Sequence, residues 1–325
     1  MRRQTVLVIL APMSAVDRQQ PRAAMASLDE AVAGVWAVAA LGRLAESGTL
    51  ARLGAGDGRL DDPVELADAR LLAAYGLLEA DAHGYRVPAG SALTADASAG
   101  VARAHLLQAI AHTRGQPPGW QSGDRAILHA QGRASTRLAG VIEDDLLPRM
   151  PEARDALSAG RGRLLDVGVG VAALSIALAE RFPGIHIVGL DVLPAALEIA
   201  GTQVAVAEMR ERIELRLQSV AAITDEDAFD LAWVPQMFIA RDELEAGLAR
   251  VWTAVRPGGW IILALAGDSD GGRVDAYHAL LATILGGGPM GVQEGTELLE
   301  RHCYSSLICS EALHPQPLLL AQRRP

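Results

Sequence analysis

Two aspartates 25 positions apart, Asp166 and Asp191, are the residues whose type and spacing point most directly to chemistry. Asp166 lies near the end of a short apolar run, Arg163 to Val167, that leads into Gly168-Val169-Gly170-Val171-Ala172; Asp191 closes a second run, His186 to Leu190. Glycines let a backbone turn sharply and let a ligand approach without a Cβ in the way. The helix expected next, Ala173 to Arg181, offers free amide donors at its start. A carboxylate at the tip of a second strand has two oxygens with which to accept both hydroxyls of a ribose. A single Gly-x-Gly is weak evidence, whereas acids ending two adjacent strands around it are much stronger.

The rival reading is a dinucleotide site, whose fingerprint needs a third glycine for close helix approach beneath a diphosphate. Leu174 and Ser175 stand in that stretch. An acid just before the turn also repels phosphate and suits a cofactor whose amino-acid tail carries an ammonium group.

These residues need a scaffold, and strand, glycine turn, helix, strand describes a doubly wound α/β sheet from about Arg163 to the C-terminus. At 325 residues there is room for a second domain. The expected division is 1–112, an N-terminal helical domain; 113–150, a linker and lid helix; and 151–325, the Rossmann-like domain. Half of the residues are hydrophobic but only 4% aromatic, which favours closely packed helices around the sheet. The net charge is −10 and the sequence contains no lysine, so there is no polybasic tract and nucleic acid is not an expected partner. Cys303 and Cys309 are too few for a disulfide framework and lack a zinc spacing, so no metal and a reducing, cytoplasmic setting are expected. Met1-Arg2-Arg3 before Thr5 to Ala11 faintly resembles a signal peptide, but Pro12 ends the apolar run early; the segment reads as a soluble arm or edge strand, with no membrane span elsewhere.

In the front half, Ser27 and Glu30 have capping-box spacing and open a helix carrying Val32, Trp36, Ala39 and Leu44 that stops at Ser47-Gly48. Asp62-Pro63 with Glu65 opens a second helix that reaches Tyr75-Gly76, and Leu77 to Ala80 and Tyr85 to Val87 flank a turn. Helix, helix, hairpin is the outline of a winged helix. Between Ala51 and Gly90, however, seven acids face four arginines, so this unit repels a phosphate backbone and suits packing against a second copy of itself. A polar stretch, Thr113 to Gly123, precedes a helix expected from Asp124 to Leu147, one stripe of which collects Asp124, Leu128, Gln131, Ser135, Leu138 and Ile142.

Leu165-Asp166-Val167-Gly168-Val169-Gly170 with Asp191 resembles motif I and the next acidic position of class I S-adenosylmethionine-dependent methyltransferases. Phe229 to Trp233 resembles that family's fourth strand, Val255 to Ile262 its Pro-Gly-Gly turn and fifth strand, and Tyr304 to Ser310 with Leu318 to Gln322 its closing antiparallel pair. With its front half, the chain resembles small-molecule methyltransferases that dimerise through an N-terminal winged helix. The resemblance implies S-adenosylmethionine as cofactor and a small, aromatic or natural-product acceptor. It places Asp166, Gly168 and Gly170 against the methionine and ribose, Asp191 on the ribose hydroxyls and Val192 against adenine. Gln218, Ser219, Val220 and Val234 stand at further cofactor positions, and Ser135 matches a cofactor-touching serine of the lid helix.

Many O-methyltransferases of this architecture keep a histidine after the fourth strand as general base. This sequence reads Trp233-Val234-Pro235-Gln236-Met237-Phe238 there, without histidine or carboxylate. Gln236, His278 and His129 are the weak substitutes, with His112 a more distant one, and the acceptor atom is left open among carbon, nitrogen and oxygen. Trp120, Gln131, Trp233, Gln236, Met237, Phe238, Tyr277 and His278 are the expected acceptor-pocket residues, although Trp233, Met237, Phe238 and His278 read equally well as packing. Gly286 to Gly288 before Pro289 suggests a roof loop. Two other readings stay open: a fold relative using the cofactor for non-methyl chemistry such as a cyclisation, and a winged-helix ligand-sensing regulator.

Overall fold

The computed structural model describes residues 15–89, 95–115, 124–267, 272–312 and 316–324; the expected N-terminal arm and Trp120 lie outside the described residues. The first helices are α1 (Ala15–Glu46), α2 (Thr49–Gly54) and α3 (Pro63–Ala74), followed by an antiparallel hairpin of β1 (Glu79–Asp81) and β2 (Gly84–Arg86), then α4 (Ala95–Thr113). Asp62 caps α3 as expected, accepting from the amides of Val64 and Glu65 at 2.9 and 2.8 Å, with Pro63 in the first turn.

The first helix differs from expectation. It begins at Ala15, so Ser27 and Glu30 lie inside it and form no capping box. The alanine-rich residues upstream are themselves helical, so the helix runs through the expected start signal. Glu30 instead reaches Arg273, 3.3 Å away, far along the chain. Leu41, Leu44, Leu50, Leu53, Leu72 and Leu78 form the core of this region, and α4 packs on α1 where Gly42 faces Ala102.

The expected single helix from Asp124 is divided into four pieces. Asp124 caps α5 (Arg125–Ser135), α6 (Arg137–Val141) follows, and a π turn at 142–146 and a 3-10 turn at 147–149 complete it. At the break, Ser135 Oγ donates to the Gly132 carbonyl and Thr136 Oγ1 to the Arg133 carbonyl, both at 2.8 Å. Such side-chain bonds compete with the helix ladder.

The remaining chain contains α7 (Pro151–Ser158), β3 (Arg163–Val167), α8 (Ala173–Arg181), β4 (His186–Asp191), α9 (Pro194–Val206), β5 (Ile213–Leu217) and β6 (Phe229–Pro235). After these come α10 (Arg241–Ala254), β7 (Val255–Ala264), α11 (Arg273–Leu285), α12 (Val292–Arg301), β8 (Tyr304–Ser310) and β9 (Leu318–Arg323). They build a seven-stranded sheet of order β5-β4-β3-β6-β7-β9-β8, parallel through β7 and antiparallel in the last two pairings. Side chains alternate across it. Leu164, Ile187, Leu231, Ile262 and Leu320 pack on one face, and Leu165, Val188, Ala232, Ile261 and Leu319 on the other. Helices cover both faces, which is why the strands read as continuous apolar runs. The strand order reverses between β3 and β6, and in open α/β sheets the crevice beyond the carboxyl ends at that point is where ligands bind.

Candidate active site

Asp166, near the carboxyl end of β3, is buried, and its Oδ2 accepts from Ser175 Oγ of α8 at 2.6 Å. Burial raises its pKa to about 7, the Ser175 hydrogen bond opposes the rise, and the nearby Asp191 charge adds to it. The sequence reading treated Ser175 only as a missing glycine; in the fold its hydroxyl holds the motif's own acid. Asp191, at the tip of β4, accepts from the Gly170 amide through Oδ2 and from the Leu193 amide through Oδ1, both at 2.8 Å. Burial raises its pKa as well, against the pull of the Leu193, Gly170 and Val192 backbone donors. A carboxylate has about four lone-pair directions, so two stay available after both backbone bonds are made.

The turn joining β3 to α8 puts Gly168 at φ 70° and Gly170 at φ 56°, left-handed values that favour glycine. A Cβ built on Gly168 finds nothing nearer than Pro235 Cγ at 3.7 Å, and on Gly170 nothing nearer than the Gly168 carbonyl oxygen at 4.0 Å, so there is room above the turn. Val192 follows Asp191 with 61% of its surface exposed, an apolar face beside the carboxylate. These features fit an adenosine cofactor: a double acceptor for ribose, an apolar surface for a flat base, and a buried acid on the glycine turn where an ammonium is favoured and a diphosphate is not.

Other expected cofactor residues divide. Gln218 lies beside Asp191, its amide donating to the Asp191 carbonyl at 3.0 Å, while its side chain donates to the Ala222 carbonyl at 2.7 Å. Ser219 Oγ donates to Glu243 and accepts from the Ala221 amide. The side chains of Val220 and Val234 are buried in the core on the α10 side, Val220 pressed against Gly247. Inward alternation along β6 and the packing of α10 decide this. Ser135 is bound to its own helix, but α5 does cross the glycine turn: a Cβ on Gly132 would come 2.2 Å from Val171 Cγ2. Helix α5 is held at contact distance from the turn by a glycine.

Of the residues expected to meet an acceptor, Trp233 and Met237 are buried in the core, with Phe238 packed against it. Gln236 is fully buried and is locked. Its Nε2 donates to the carbonyls of Gly287 at 3.0 Å and Gly288 at 2.9 Å, while the Gly287 amide donates to the Met237 carbonyl at 3.0 Å. The 286–288 loop is therefore pinned to the end of β6 through the Gln236 side chain. Its Oε1 is buried with no hydrogen-bond partner among the described residues. His129 is exposed and turned to α9, Nδ1 standing 3.4 Å from Gln203 Nε2. His112 is exposed in the last turn of α4. Gln131 Oε1 accepts from Gln108 of α4 at 3.4 Å. Tyr277 and His278 pack ring to ring at 4.9 Å on α11, and Tyr277 Oη lies 2.9 Å from Nδ1 of His105 on α4. Sequence reasoning missed His105 because nothing in the alanine-rich α4 marks which of its faces meets α11.

Residues 164–259 match the family model for a methyltransferase domain. The chain is 32% identical over 191 residues to a release factor glutamine methyltransferase of Cereibacter sphaeroides, a match that covers 57% of this chain and 60% of that protein. The solved structure of the S-adenosylmethionine-dependent methyltransferase SibL in its apo form is similar at TM-score 0.58 and 18% identity, covering 92% of this chain and 99% of that one. Human N-acetylserotonin methyltransferase in complex with SAM is similar at TM-score 0.55 and 15% identity, covering 93% and 98%. Residues 164–259 are thus a methyltransferase domain, and the chain as a whole has the class I methyltransferase fold.

Proposed function

We propose that this protein transfers a methyl group from S-adenosylmethionine to a small, aromatic acceptor of the natural-product type, working as a homodimer. The observation that carries the reading is Asp191. It is a strand-tip carboxylate with two lone-pair directions left after stapling the glycine turn, and it stands at the point where the strand order reverses. In this reading Asp191 holds the ribose hydroxyls, Val192 lies against adenine, Gln218 borders the base, and Asp166 with the Gly168–Gly170 backbone receives the methionine end. The cofactor, when bound, supplies an activated methyl group on a sulfonium.

The chain's own residues then bind, orient and exclude water. Helix α5, seated on the glycine turn through Gly132 and Val171, covers the cofactor side. The Gln236 clamp fixes the roof loop over the end of β6. Positioning of this kind converts an encounter of two molecules into a reaction within one complex, worth on the order of 7–11 kcal/mol of barrier when the line of attack is right. Phe238, Tyr277 and His278 supply aromatic faces and polar groups for the acceptor.

Support for the homodimer comes from α1. Leu28, Val32, Val35 and Trp36, spaced as one helical stripe, are 55, 47, 57 and 66% exposed. A two-fold axis would bring the same stripe from both copies together. The acids of α3 and the hairpin are occupied in capping α3 and pairing with Arg43, Arg52 and Arg86, which favours packing over a nucleic-acid role. Among the described residues no helix is long and apolar enough to cross a membrane.

The test is incubation with S-adenosylmethionine labelled in its methyl group and a panel of phenols, indoles and amines. Label on an acceptor product is expected. Consumption of the cofactor without label transfer, or no binding of S-adenosylhomocysteine, refutes the reading.

A further inference from the structure

The sequence offers no base after the fourth strand, yet the fold assembles a hydrogen-bonded pair from two distant helices. Tyr277 Oη on α11 lies 2.9 Å from His105 Nδ1 and 3.4 Å from its Nε2, with ring centroids 5.8 Å apart and planes at 67°. One turn along α4 from His105, Gln108 bonds Gln131 of α5, the helix seated on the glycine turn. Helix α11 packs on the 236–238 turn that ends β6. The pair thus stands where α4, α5, α11 and the end of β6 converge, and Tyr277 is one of the acceptor residues of the reading above.

We propose that Tyr277 and His105 form a proton relay for an acceptor bearing an ionisable hydroxyl, a phenol or enol, with Tyr277 touching the acceptor and His105 receiving the proton through it. This rests on the methyltransferase reading above and narrows its acceptor class. The acceptor O–H bond breaks and its electron pair stays on the acceptor oxygen, where methylation consumes it. The released proton bonds to Tyr277 Oη as Tyr277 passes its own proton to His105 Nδ1. Tyrosine ends neutral and histidine ends as imidazolium, half-buried and able to return the proton to solvent.

The surroundings set the resting protonation of the pair. Burial, then the charges of Arg137 on α6 and His278 on α11, hold the His105 pKa below its ordinary value, so the ring starts neutral and accepting. Tyr277 is 42% exposed as a residue, open to an acceptor, while shielding of its hydroxyl end raises its pKa to about 12 and keeps it a donor. Asp275 acts on His278 in turn. The other charges joining α1 to this region are already paired, Glu30 with Arg273 and Glu46 with Arg133.

The experiment uses the full chain with S-adenosylhomocysteine and 4-nitrophenol as probe, comparing wild type, Tyr277→Phe and His105→Gln. Calorimetry with S-adenosylhomocysteine and a thermal melt come first. Unchanged values in both variants are expected, because the relay does not hold the cofactor; failure of wild type to bind S-adenosylhomocysteine would defeat the methyltransferase reading and is thereby distinguished from failure of the relay. Absorbance titration of the bound phenol is then expected to show ionisation at a pH lower by about one unit or more in wild type than in either variant. Nitrogen-15 NMR of His105 is expected to show an unprotonated, hydrogen-bonded Nδ1 with a midpoint below the ordinary 6.5, rising when the phenol donor is removed in Tyr277→Phe. The relay is overturned if both variants leave the phenol midpoint at its wild-type value, or if wild type takes up no phenol saturably.

Discussion

Replacing Asp191 tests the cofactor reading most directly, because its carboxylate is assigned two jobs that can be measured apart. In Asp191→Ala the Gly170 and Leu193 amides lose their acceptor, and an orphaned buried donor costs about 1–3 kcal/mol. Part of that loss is offset, since burial already raises the Asp191 pKa and its charge is costly to keep. A net destabilisation of about 1–3 kcal/mol is expected, a melting-temperature fall of roughly 2–4 °C per kcal/mol for a domain of this size. Binding should suffer more. Two hydrogen bonds from ribose hydroxyls to an ionised acceptor are worth about 1.5–3 kcal/mol each, so losing both weakens S-adenosylhomocysteine by about 100-fold or more. Asp191→Asn keeps one accepting oxygen but turns an amide donor toward a donor, and an intermediate loss of about tenfold is expected. Calorimetric titration of the three proteins, each paired with a thermal melt, provides the measurement. If Asp191→Ala melts early yet binds S-adenosylhomocysteine within about threefold of wild type, the carboxylate is only a staple for the turn and the ribose assignment is wrong.

Asp166 carries a pH signature. Its folded pKa of about 7 exceeds the ordinary 3.8, so between these values the folded protein holds a proton that the unfolded chain has released, and stability falls as pH rises through that window by up to about 4 kcal/mol. Asp166→Asn should remove that slope, and denaturation at about pH 5 and about pH 8 will show whether its advantage over wild type grows with pH. Binding of a cofactor with an ammonium tail should favour the carboxylate and release a proton near neutral pH, seen as a binding enthalpy that varies with the buffer. Gly132→Ala drives a Cβ to 2.2 Å from Val171 Cγ2 and should cost about 1–3 kcal/mol, recovered in the double variant with Val171→Ala; additive effects in that cycle would mean the lid does not rest on the turn. Val32→Asp with Trp36→Glu should yield a monomer by light scattering, whereas an unchanged particle mass would rule out the α1 stripe as the dimer contact.

The sequence by itself determined the parts whose causes are local. Asp62-Pro63 caps a helix, short continuous apolar runs make strands buried on both faces, and Asp166, Gly168, Gly170 and Asp191 mark a turn and two strand tips that backbone geometry brings together once the strands are parallel neighbours. Local signals misled where a longer-range effect outweighed them: the Ser27 to Glu30 spacing sits inside a helix extended by its alanines, and Ser135 and Thr136 interrupt a run that periodicity drew as continuous. Only the tertiary structure decided which way side chains face. Val220 and Val234 turn into the core because α10 covers that face of the sheet, Ser175 becomes the partner of Asp166, and Gln236 closes on Gly287 and Gly288. His105 meets Tyr277 across 172 positions. No spacing rule encodes such a meeting, because it depends on how α4 and α11 pack and the hydrogen bond forms only after that packing has fixed both side chains.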